Sequence, residues 1–266
     1  MMILLAFFLV WVMVCIYFYR AQERFIYVPD ISIPSLKRAS AYPGQEVEIH
    51  PEDDPEMATT SWYFRACQGK GTILFFHGNN GNIETRTGWM QFALAAGWGL
   101  LMVGYRGYGG NPGIPSQAGL THDGLSAYDW LVHEAGVPAA QIFIFGHSLG
   151  SAVACQIASQ RPAKALGLMS PMTHMAHVAF DRYPFLPAPL LIKDQWRSID
   201  AMDCIKCPLA IAYCDKDTTV RPKRSLQLYQ AYEGVKELTL LPGVGHGEIA
   251  LSGGPQVLVD FFERRA

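Results

Sequence analysis

Charged side chains are scarce in this sequence, and neither sign of charge dominates. Lys and Arg number 21 against 23 Asp and Glu, which gives a formal net charge of −2, and charged residues make up only 17% of the chain. No basic stripe is visible along the sequence. Because proteins bind nucleic acids through clustered Lys and Arg that neutralise phosphates, this composition argues against a nucleic-acid partner. The composition does not indicate an oligomeric state.

Cysteines in a pattern that would hold a metal are also lacking. Cys204 and Cys207 have the spacing C-x-x-C, but no second pair and no histidines at ligand spacing follow them. A structural zinc site needs four such ligands. We therefore interpret this pair as a coincidence near the start of a strand, and we expect neither a metal nor an organic cofactor. A chain of this length needs no disulfide bonds, so the cysteines leave the redox compartment open.

The first 19 residues contain no charged side chain. Such a run is about as long as the helix that crosses the hydrocarbon of a bilayer. A cleaved signal peptide would have a basic start and small residues before the cut, whereas this chain begins with two methionines and continues as YRAQERF. We predict an uncleaved transmembrane anchor over residues 1–20. The nearest basic residues all follow it: Arg20, Arg24, Lys37 and Arg38. The positive-inside tendency then favours a cytoplasmic position for the rest of the chain.

Beyond the anchor, patterns typical of buried strands alternate with patterns typical of helices. Residues 21–60 read as a linker and first edge strands, and residues 61–266 as one α/β domain. The predicted strands are 46–50, 62–65, 72–77, 99–105, 141–145, 165–169, 209–214 and 237–241. The predicted helices are 84–96, 116–135, 149–160, 222–232 and 255–264. This alternation implies a mostly parallel sheet with helices on both faces, whose functional groups collect at the carboxyl ends of the strands.

The strongest motif is GHSLG at residues 146–150, between a predicted strand and a helix rich in small residues. A serine hydroxyl is a poor nucleophile unless it is exposed, oriented and deprotonated by a neighbouring base. A sharp turn from strand to helix exposes the serine, and the flanking glycines remove Cβ atoms that would clash in that turn. We therefore predict that Ser148 is a catalytic nucleophile. An ordinary serine in a glycine-rich turn is the alternative.

Chain order selects the base for this nucleophile. In a triad of this kind the serine is followed first by an acid and then by a histidine. His174 and His177 follow Ser148 with no intervening acid, which leaves His246 in the glycine-rich segment LPGVGHG after a strand. The acid is Asp215 or Asp217, both directly after the strand 209–214, and spacing alone does not choose between them.

An oxyanion hole is predicted at the sequence HGNNGN, residues 77–82, directly after the strand 72–77. The backbone N–H of Asn79, with Asn80 as the alternative, and the N–H of Leu149 would donate to the oxyanion of the tetrahedral intermediate. A plain Asn/Gly turn is the competing interpretation. We expect His77 to be a structural residue under this loop.

The ordered set of motifs resembles the α/β-hydrolase superfamily, and within it the membrane-anchored Bem46-like or ABHD13-like hydrolases. The set comprises RFIYVP, HGNNGN, YRGYGGNPGIPS, GHSLG, SPMTHMAHVAFDRYPFLP, DKDTTVRP and GVGHGEI. The resemblance implies that Asp217 is the acid, since Val220 follows it by three residues as in the family. It also implies a short lid over residues 170–197, with an apolar rim. The chain departs from the family pattern at Gly104, Asn111 and Cys214, where Asp, Ser and Gly are usual.

These features predict a serine hydrolase that cleaves carboxylic esters of lipid-like or acyl substrates at a membrane. The same triad serves serine peptidases and acyl-protein thioesterases, so both stay open as alternatives. A non-catalytic scaffold on the same fold is a third hypothesis, which the complete set of catalytic residue types disfavours.

Overall fold

The computed structural model describes residues 1–266 and contains ten β-strands. They are β1 (Val28–Pro29), β2 (Gln45–Ile49), β3 (Thr59–Phe64), β4 (Thr72–Phe76), β5 (Asn80–Gly81), β6 (Gly99–Met102), β7 (Ile142–His147), β8 (Ala165–Met169), β9 (Leu209–Cys214) and β10 (Lys236–Leu241). Eight of them form one sheet in the order β10-β9-β8-β7-β4-β6-β3-β2. Neighbours from β10 to β6 run parallel, and β3 and β2 are antiparallel at one edge. The prediction of a mostly parallel sheet is confirmed.

Twelve α-helices accompany the strands. They are α1 (Met2–Ala21), α2 (Glu23–Ile26), α3 (Leu36–Ala39), α4 (Glu84–Thr87), α5 (Gln91–Ala95), α6 (Gln117–His133), α7 (Leu149–Ala158), α8 (Met175–Arg182), α9 (Ala188–Leu191), α10 (Ser198–Ala201), α11 (Pro222–Ala231) and α12 (Gly254–Glu263). The predicted helix over 84–96 is interrupted by a 3₁₀ turn at Gly88–Met90. Gly88 itself has helical dihedral angles, and the break lies at Met90, whose φ is −107° and ψ 1°.

The central strands are buried on both faces, which explains why they read as continuous apolar runs. Along β4, Ile73 and Phe75 belong to one hydrophobic core, whereas Leu74 and Phe76 belong to the core on the opposite face. Successive side chains of a strand point to opposite faces, so each strand contributes to both cores. Helices α6, α7 and α12 complete this arrangement.

Helix α1 is long and apolar enough to cross a membrane, judged by its length and composition. Most of its side chains are exposed, and Cys15 is the one buried residue of the helix. The stretch after it also contributes to the fold, since β1 pairs in parallel with β5 at the loop that follows β4. The residues interpreted as a linker therefore hold a loop at the carboxyl edge of the sheet.

Helix α7 lies unusually close to strand β4, and glycine at position 150 permits the approach. A Cβ added to Gly150 would lie 2.1 Å from the carbonyl oxygen of Phe76 and 2.4 Å from that of His77. Both are backbone atoms of a central strand and the loop after it, so neither can move aside cheaply. The second glycine of the GHSLG motif therefore sets the spacing between this helix and the sheet.

Replacing Gly150 with Ala should lower the free energy of unfolding by about 1–3 kcal/mol, the usual cost of overpacking a core. The matched control is Gly88→Ala. Gly88 has helical φ of −55°, and an added Cβ there would meet no atom within 4 Å. This control should be neutral or stabilising by ~0.5–1 kcal/mol, since alanine favours a helix. Urea unfolding of both variants measures the difference, and equal stabilities would contradict the packing argument.

Candidate active site

Ser148 lies in a strained turn between β7 and α7. Its φ of 52° and ψ of −118° are rare for a residue with a side chain, and such a conformation costs roughly 1–3 kcal/mol. The turn is held by hydrogen bonds, because the Ser148 N–H donates to the carbonyl of Met169 (2.9 Å) and the Ser148 carbonyl accepts from the Ser151 N–H (2.9 Å). This geometry places the serine hydroxyl at the carboxyl edge of the sheet, in front of the N-terminus of α7.

Three side chains from distant parts of the sequence form a continuous hydrogen-bonded chain at this edge. His246 Nε2 is 2.9 Å from Ser148 Oγ, and His246 Nδ1 is 2.6 Å from Asp217 Oδ2. The Asp217 side chain is 1% exposed and the His246 side chain 16%. In this arrangement the imidazole can take a proton from the hydroxyl, while the carboxylate fixes the ring orientation.

The structure separates the two candidate acids. The second oxygen of Asp217 accepts the N–H groups of Thr219 (2.9 Å) and Val220 (2.7 Å), which holds the carboxylate toward His246. Asp215 instead accepts the N–H of Gly243 at 2.7 Å and so ties together the two loops that follow β9 and β10. The geometry therefore brings Asp217, and not Asp215, to the imidazole.

Cys214, one of the departures from the family pattern, lies behind this acid. Its sulfur is 3.9 Å from Asp217 Oδ2. Burial, with the nearby Asp217 carboxylate, raises the pKa of the Cys214 thiol to about 11. The thiol is therefore protonated at neutral pH and can act as a weak donor to the carboxylate.

The other two departures lie next to each other in the structure. Glycine at 104 leaves room for the carbonyl oxygen of Thr60, which would lie 2.0 Å from a Cβ at that position, and for Nδ2 of Asn111, which would lie at 2.9 Å. The Asn111 side chain accepts from Thr60 N–H (2.9 Å) and donates to the carbonyl of Tyr105 (3.1 Å). The pair thus joins strand β3 to the loop after β6 and makes no contact with Ser148.

Two backbone amides next to Ser148 have no acceptor within the protein. They are the N–H groups of Asn79 and Leu149, and neither donates a hydrogen bond. Both residues line the same cavity as Ser148, whereas Asn80 does not line it. The geometry therefore favours Asn79 over Asn80 as the partner of Leu149 in an oxyanion hole.

The loop that carries Asn79 is held from below by His77 and Tyr108. His77 Nδ1 is 2.7 Å from the carbonyl of Gly78, the oxygen of the same peptide unit as the Asn79 N–H. The hydroxyl of Tyr108 and the N–H of Val28 both donate to the carbonyl of Asn79, at 2.8 and 2.9 Å. Tyr108 and Val28 both lie in motifs that carried the family resemblance, but nothing in their local sequence indicates that they hold this loop.

The cavity in front of Ser148 has a volume of about 490 Å³, and fourteen of its twenty lining residues are hydrophobic. This size and character suit a small apolar group or an acyl chain. Nine of the twenty lining residues belong to α8 and the segment after it, within the predicted lid. Phe18 near the end of α1, and Gln22 and Phe25 just beyond it, also line the cavity. From the sequence, that region is predicted only as an anchor and linker, since apolar periodicity does not reveal which surface a helix packs against.

Two further histidines near the site are buried and neutral. Burial lowers the pKa of His77 to about 3. Burial also lowers the pKa of His147 well below its usual value, and His246 and Arg86 nearby act in the same direction. Neither ring nitrogen of His147 has a hydrogen-bond partner, and its ring lies 5.5 Å from that of His246. These two residues form the buried floor of the site, while His246 is the histidine in hydrogen-bond contact with Ser148.

Comparison with known proteins places this architecture in a family. The α/β hydrolase fold family matches residues 71–186. The chain is 35% identical over 254 residues to the protein Rv2307c of Mycobacterium tuberculosis, which is 94% of this chain and 89% of that protein. It is 29% identical over 260 residues to the α/β hydrolase domain-containing protein WAV2 of Arabidopsis thaliana, covering 88% of this chain and 83% of WAV2.

More distant similarities extend to enzymes. Lysophosphatidylserine lipase ABHD12 of Danio rerio is 30% identical over 211 residues, which is 70% of this chain and 53% of the lipase. Among solved structures, the Pyrococcus furiosus esterase PF2001 aligns with a TM-score of 0.71 at 18% identity, covering 90% of this chain and 97% of the esterase. The acylaminoacyl peptidase of Pyrococcus horikoshii aligns with a TM-score of 0.68 at 16% identity, covering 86% and 42%. At these identities the two structures show the fold alone.

The buried neutral histidines make stability depend on pH. In the unfolded chain a histidine binds a proton below about pH 6.5, whereas His147 in the folded protein does not. The contribution of such a histidine to the free energy of unfolding therefore has its full value above pH 6.5. It falls as the pH drops below 6.5, by about 1.4 kcal/mol per pH unit for each such group. His147→Gln should make this dependence shallower between roughly pH 6 and 4.5. Urea unfolding across that range tests it, with exposed His133→Gln as the control; parallel curves for wild type and His147→Gln would refute the argument.

Proposed function

The chain belongs to the α/β-hydrolase family, and from that premise we propose that it is a serine hydrolase that cleaves carboxylic esters of lipid-like acyl groups. The observation that carries this proposal is the hydrogen-bonded chain from Ser148 through His246 to Asp217 at the mouth of an apolar cavity. A chain of this kind activates a hydroxyl for attack on a carbonyl carbon.

In the proposed reaction, Ser148 Oγ attacks the ester carbonyl while His246 Nε2 accepts the hydroxyl proton. Asp217 stabilises the imidazolium that results. The negative charge on the carbonyl oxygen is held by the N–H groups of Asn79 and Leu149, which have no other acceptor. Collapse of the tetrahedral intermediate expels the alcohol, which takes its proton from His246, and leaves an acyl-enzyme on Ser148. Water activated by His246 then releases the acid and restores the serine.

The cavity supports an acyl substrate with an anionic group. Its wall is mainly hydrophobic, and Arg182 is the only charged residue that lines it. The neighbouring acid, Asp181, is already paired with Arg224 at 2.9 Å, so the guanidinium of Arg182 has no carboxylate partner. A phosphate or carboxylate on the substrate would satisfy it. The similarity to a lysophosphatidylserine lipase, whose length the chain covers by about half, points to the same class of substrate.

The nucleophile and acid are tested with an active-site probe and two matched variants. A fluorophosphonate should label the wild-type protein and leave Ser148→Ala unlabelled. Ester hydrolysis should fall by roughly 10³–10⁴ in Asp217→Asn, because the amide no longer fixes the correct imidazole tautomer. Asp215→Asn should fall by less than about tenfold, since Asp215 contacts only the loop backbone. A labelled Ser148→Ala would refute the proposed nucleophile, an unlabelled wild type would restore the scaffold hypothesis, and equal losses in the two aspartate variants would refute the choice of acid.

The bond and substrate class are tested with a panel of matched substrates. For p-nitrophenyl esters, kcat/KM should rise from acetate to chains of about eight carbons as the acyl group fills the cavity, at up to tenfold for each two carbons buried. A lysophospholipid should be preferred to a neutral monoacylglycerol of the same chain, and Arg182→Gln should remove that preference. Peptide amides and thioesters of the same acyl group compare the peptidase and thioesterase alternatives. Activity confined to acetate, or faster cleavage of the amide, would contradict an ester hydrolase for lipid-like substrates.

A further inference from the structure

The N-terminal helix forms part of the catalytic cavity in addition to its predicted role as an anchor. Phe18 near its C-terminal end, with Phe25 and Ile26 of the following turn, lines the same cavity as Ser148. The ring of Phe18 is also 5.0 Å from that of Tyr183 in the predicted lid. The wall of the cavity on this side therefore consists of the helix that would cross the bilayer.

Buried hydrogen bonds join this helix to the lid in a defined orientation. Gln22 is 4% exposed, and its amide donates to the carbonyl of Leu191 (3.0 Å) and accepts from the N–H of Lys193 (2.7 Å). The hydroxyl of Tyr27 lies 2.6 Å from Asp194 Oδ2 and accepts from the indole of Trp196. These hydrogen bonds attach the residues just after α1 to the lid in one defined arrangement.

The contact between the lid and helix α1 reaches back to the middle of the helix, at Trp11. Trp11 Nε1 donates to the carbonyl of Phe185 at 3.0 Å. Trp11 precedes Arg20, the first charged residue of the chain, by nine residues, which corresponds to about 14 Å along a helix. The hydrocarbon core of a bilayer is about 30 Å thick, so a lid that reaches Trp11 would extend to near the middle of the bilayer.

The lid segment over residues 183–192, YPFLPAPLLI, has the composition of a membrane-embedded segment. It contains no charged side chain and is flanked by Arg182 and Lys193. Several of its apolar side chains point away from the protein, with Phe185 55% and Leu190 83% exposed. Such exposure of large apolar groups is unfavourable in water and favourable in hydrocarbon.

The backbone of this segment is also suited to a medium without water. Hydrocarbon offers no partner to a free N–H, so backbone groups there must be satisfied within the protein. Three positions of the segment are proline and have no N–H. The N–H groups that donate to backbone carbonyls are those of Tyr183, Leu186, Ala188, Leu190, Leu191 and Ile192. The segment therefore presents few unsatisfied donors to the lipid.

We propose that the segment 183–192 lies in the hydrocarbon of the same leaflet as the C-terminal half of α1, and that substrate enters the cavity sideways from the bilayer between them. The boundary with water is marked by Arg20 at the end of α1 and by Lys193 directly after the lid segment. These two ends lie side by side, since the ammonium of Lys193 is 4.9 Å from the ring centre of Tyr19. An acyl chain would then pass to Ser148 without crossing water. The substrate route rests on the proposed function, whereas the insertion of the lid does not.

The route is tested with one variant on the lid and one far from it. Leu190 is exposed and does not line the cavity, so Leu190→Asp should leave hydrolysis of a soluble short ester unchanged. It should lower hydrolysis of a lysophospholipid in phosphatidylcholine vesicles by about tenfold, because a buried leucine contributes that much to partitioning. Val235 is 64% exposed at the opposite, amino end of β10, and Val235→Asp should change neither activity. Full activity of Leu190→Asp on the vesicle substrate would overturn the proposed route.

The insertion is tested without any catalysis. In the full chain with the exposed Cys67 and Cys204 replaced by serine, the four cysteines that remain are buried. Leu190→Cys or Val235→Cys then supplies one exposed cysteine, which carries an environment-sensitive fluorophore. In vesicles the probe at 190 should shift to shorter wavelength and be quenched by lipids with a nitroxide on the acyl chain, and the probe at 235 should do neither. Identical behaviour at the two positions would overturn the insertion and leave the hydrolase assignment standing. Conversely, fluorophosphonate labelling that persists in Ser148→Ala would overturn the proposed function and leave the insertion standing.

Discussion

The close approach of helix α7 to strand β4 is the constraint on which the rest of the site depends. Gly150 lets the helix begin against the carbonyls of Phe76 and His77, so the turn before it must be sharp, and Ser148 takes up the strain. The same approach brings the N–H of Leu149 and the loop with Asn79 to opposite sides of one small space. The position of the hydroxyl and of both free donors thus follows from a single packing distance.

The two sides of this space differ in character: the floor is made of buried polar side chains, and the upper wall is apolar. The floor contains two buried histidines held neutral by desolvation, and the aspartate beside His246 is almost completely covered. A carboxylate in such surroundings interacts strongly with an imidazolium, because no water screens the pair. The upper wall is apolar and made by the lid and the end of α1. In the proposed function, an acyl group is bound there by burial, and the polar groups act on the carbonyl.

The residues between the apolar helix and the catalytic domain have a structural role that a linker would not have. Val28 donates to the carbonyl of Asn79, and Tyr27 and Gln22 join the same stretch to the lid. The loop with the predicted oxyanion donor and the lid over the cavity are therefore both attached to the chain just after α1. In the proposed function, any displacement of α1 would act on both, which couples membrane attachment to the geometry of the site.

Local pattern alone determined the class of fold and the candidate nucleophile and base. Buried strands read as apolar runs, GHSLG demands a strand-to-helix turn, and the order of acids and histidines leaves only His246. Tertiary contacts decided the rest. Asp215 and Asp217 are indistinguishable by spacing, and only the paired loops after β9 and β10 turn one toward His246 and the other toward Gly243. The packing of Gly104 against the carbonyl of Thr60 and the contact of α1 with the lid likewise depend on residues far apart in sequence. The apolar periodicity of a sequence predicts which side chains are buried, but not which helix or strand they pack against.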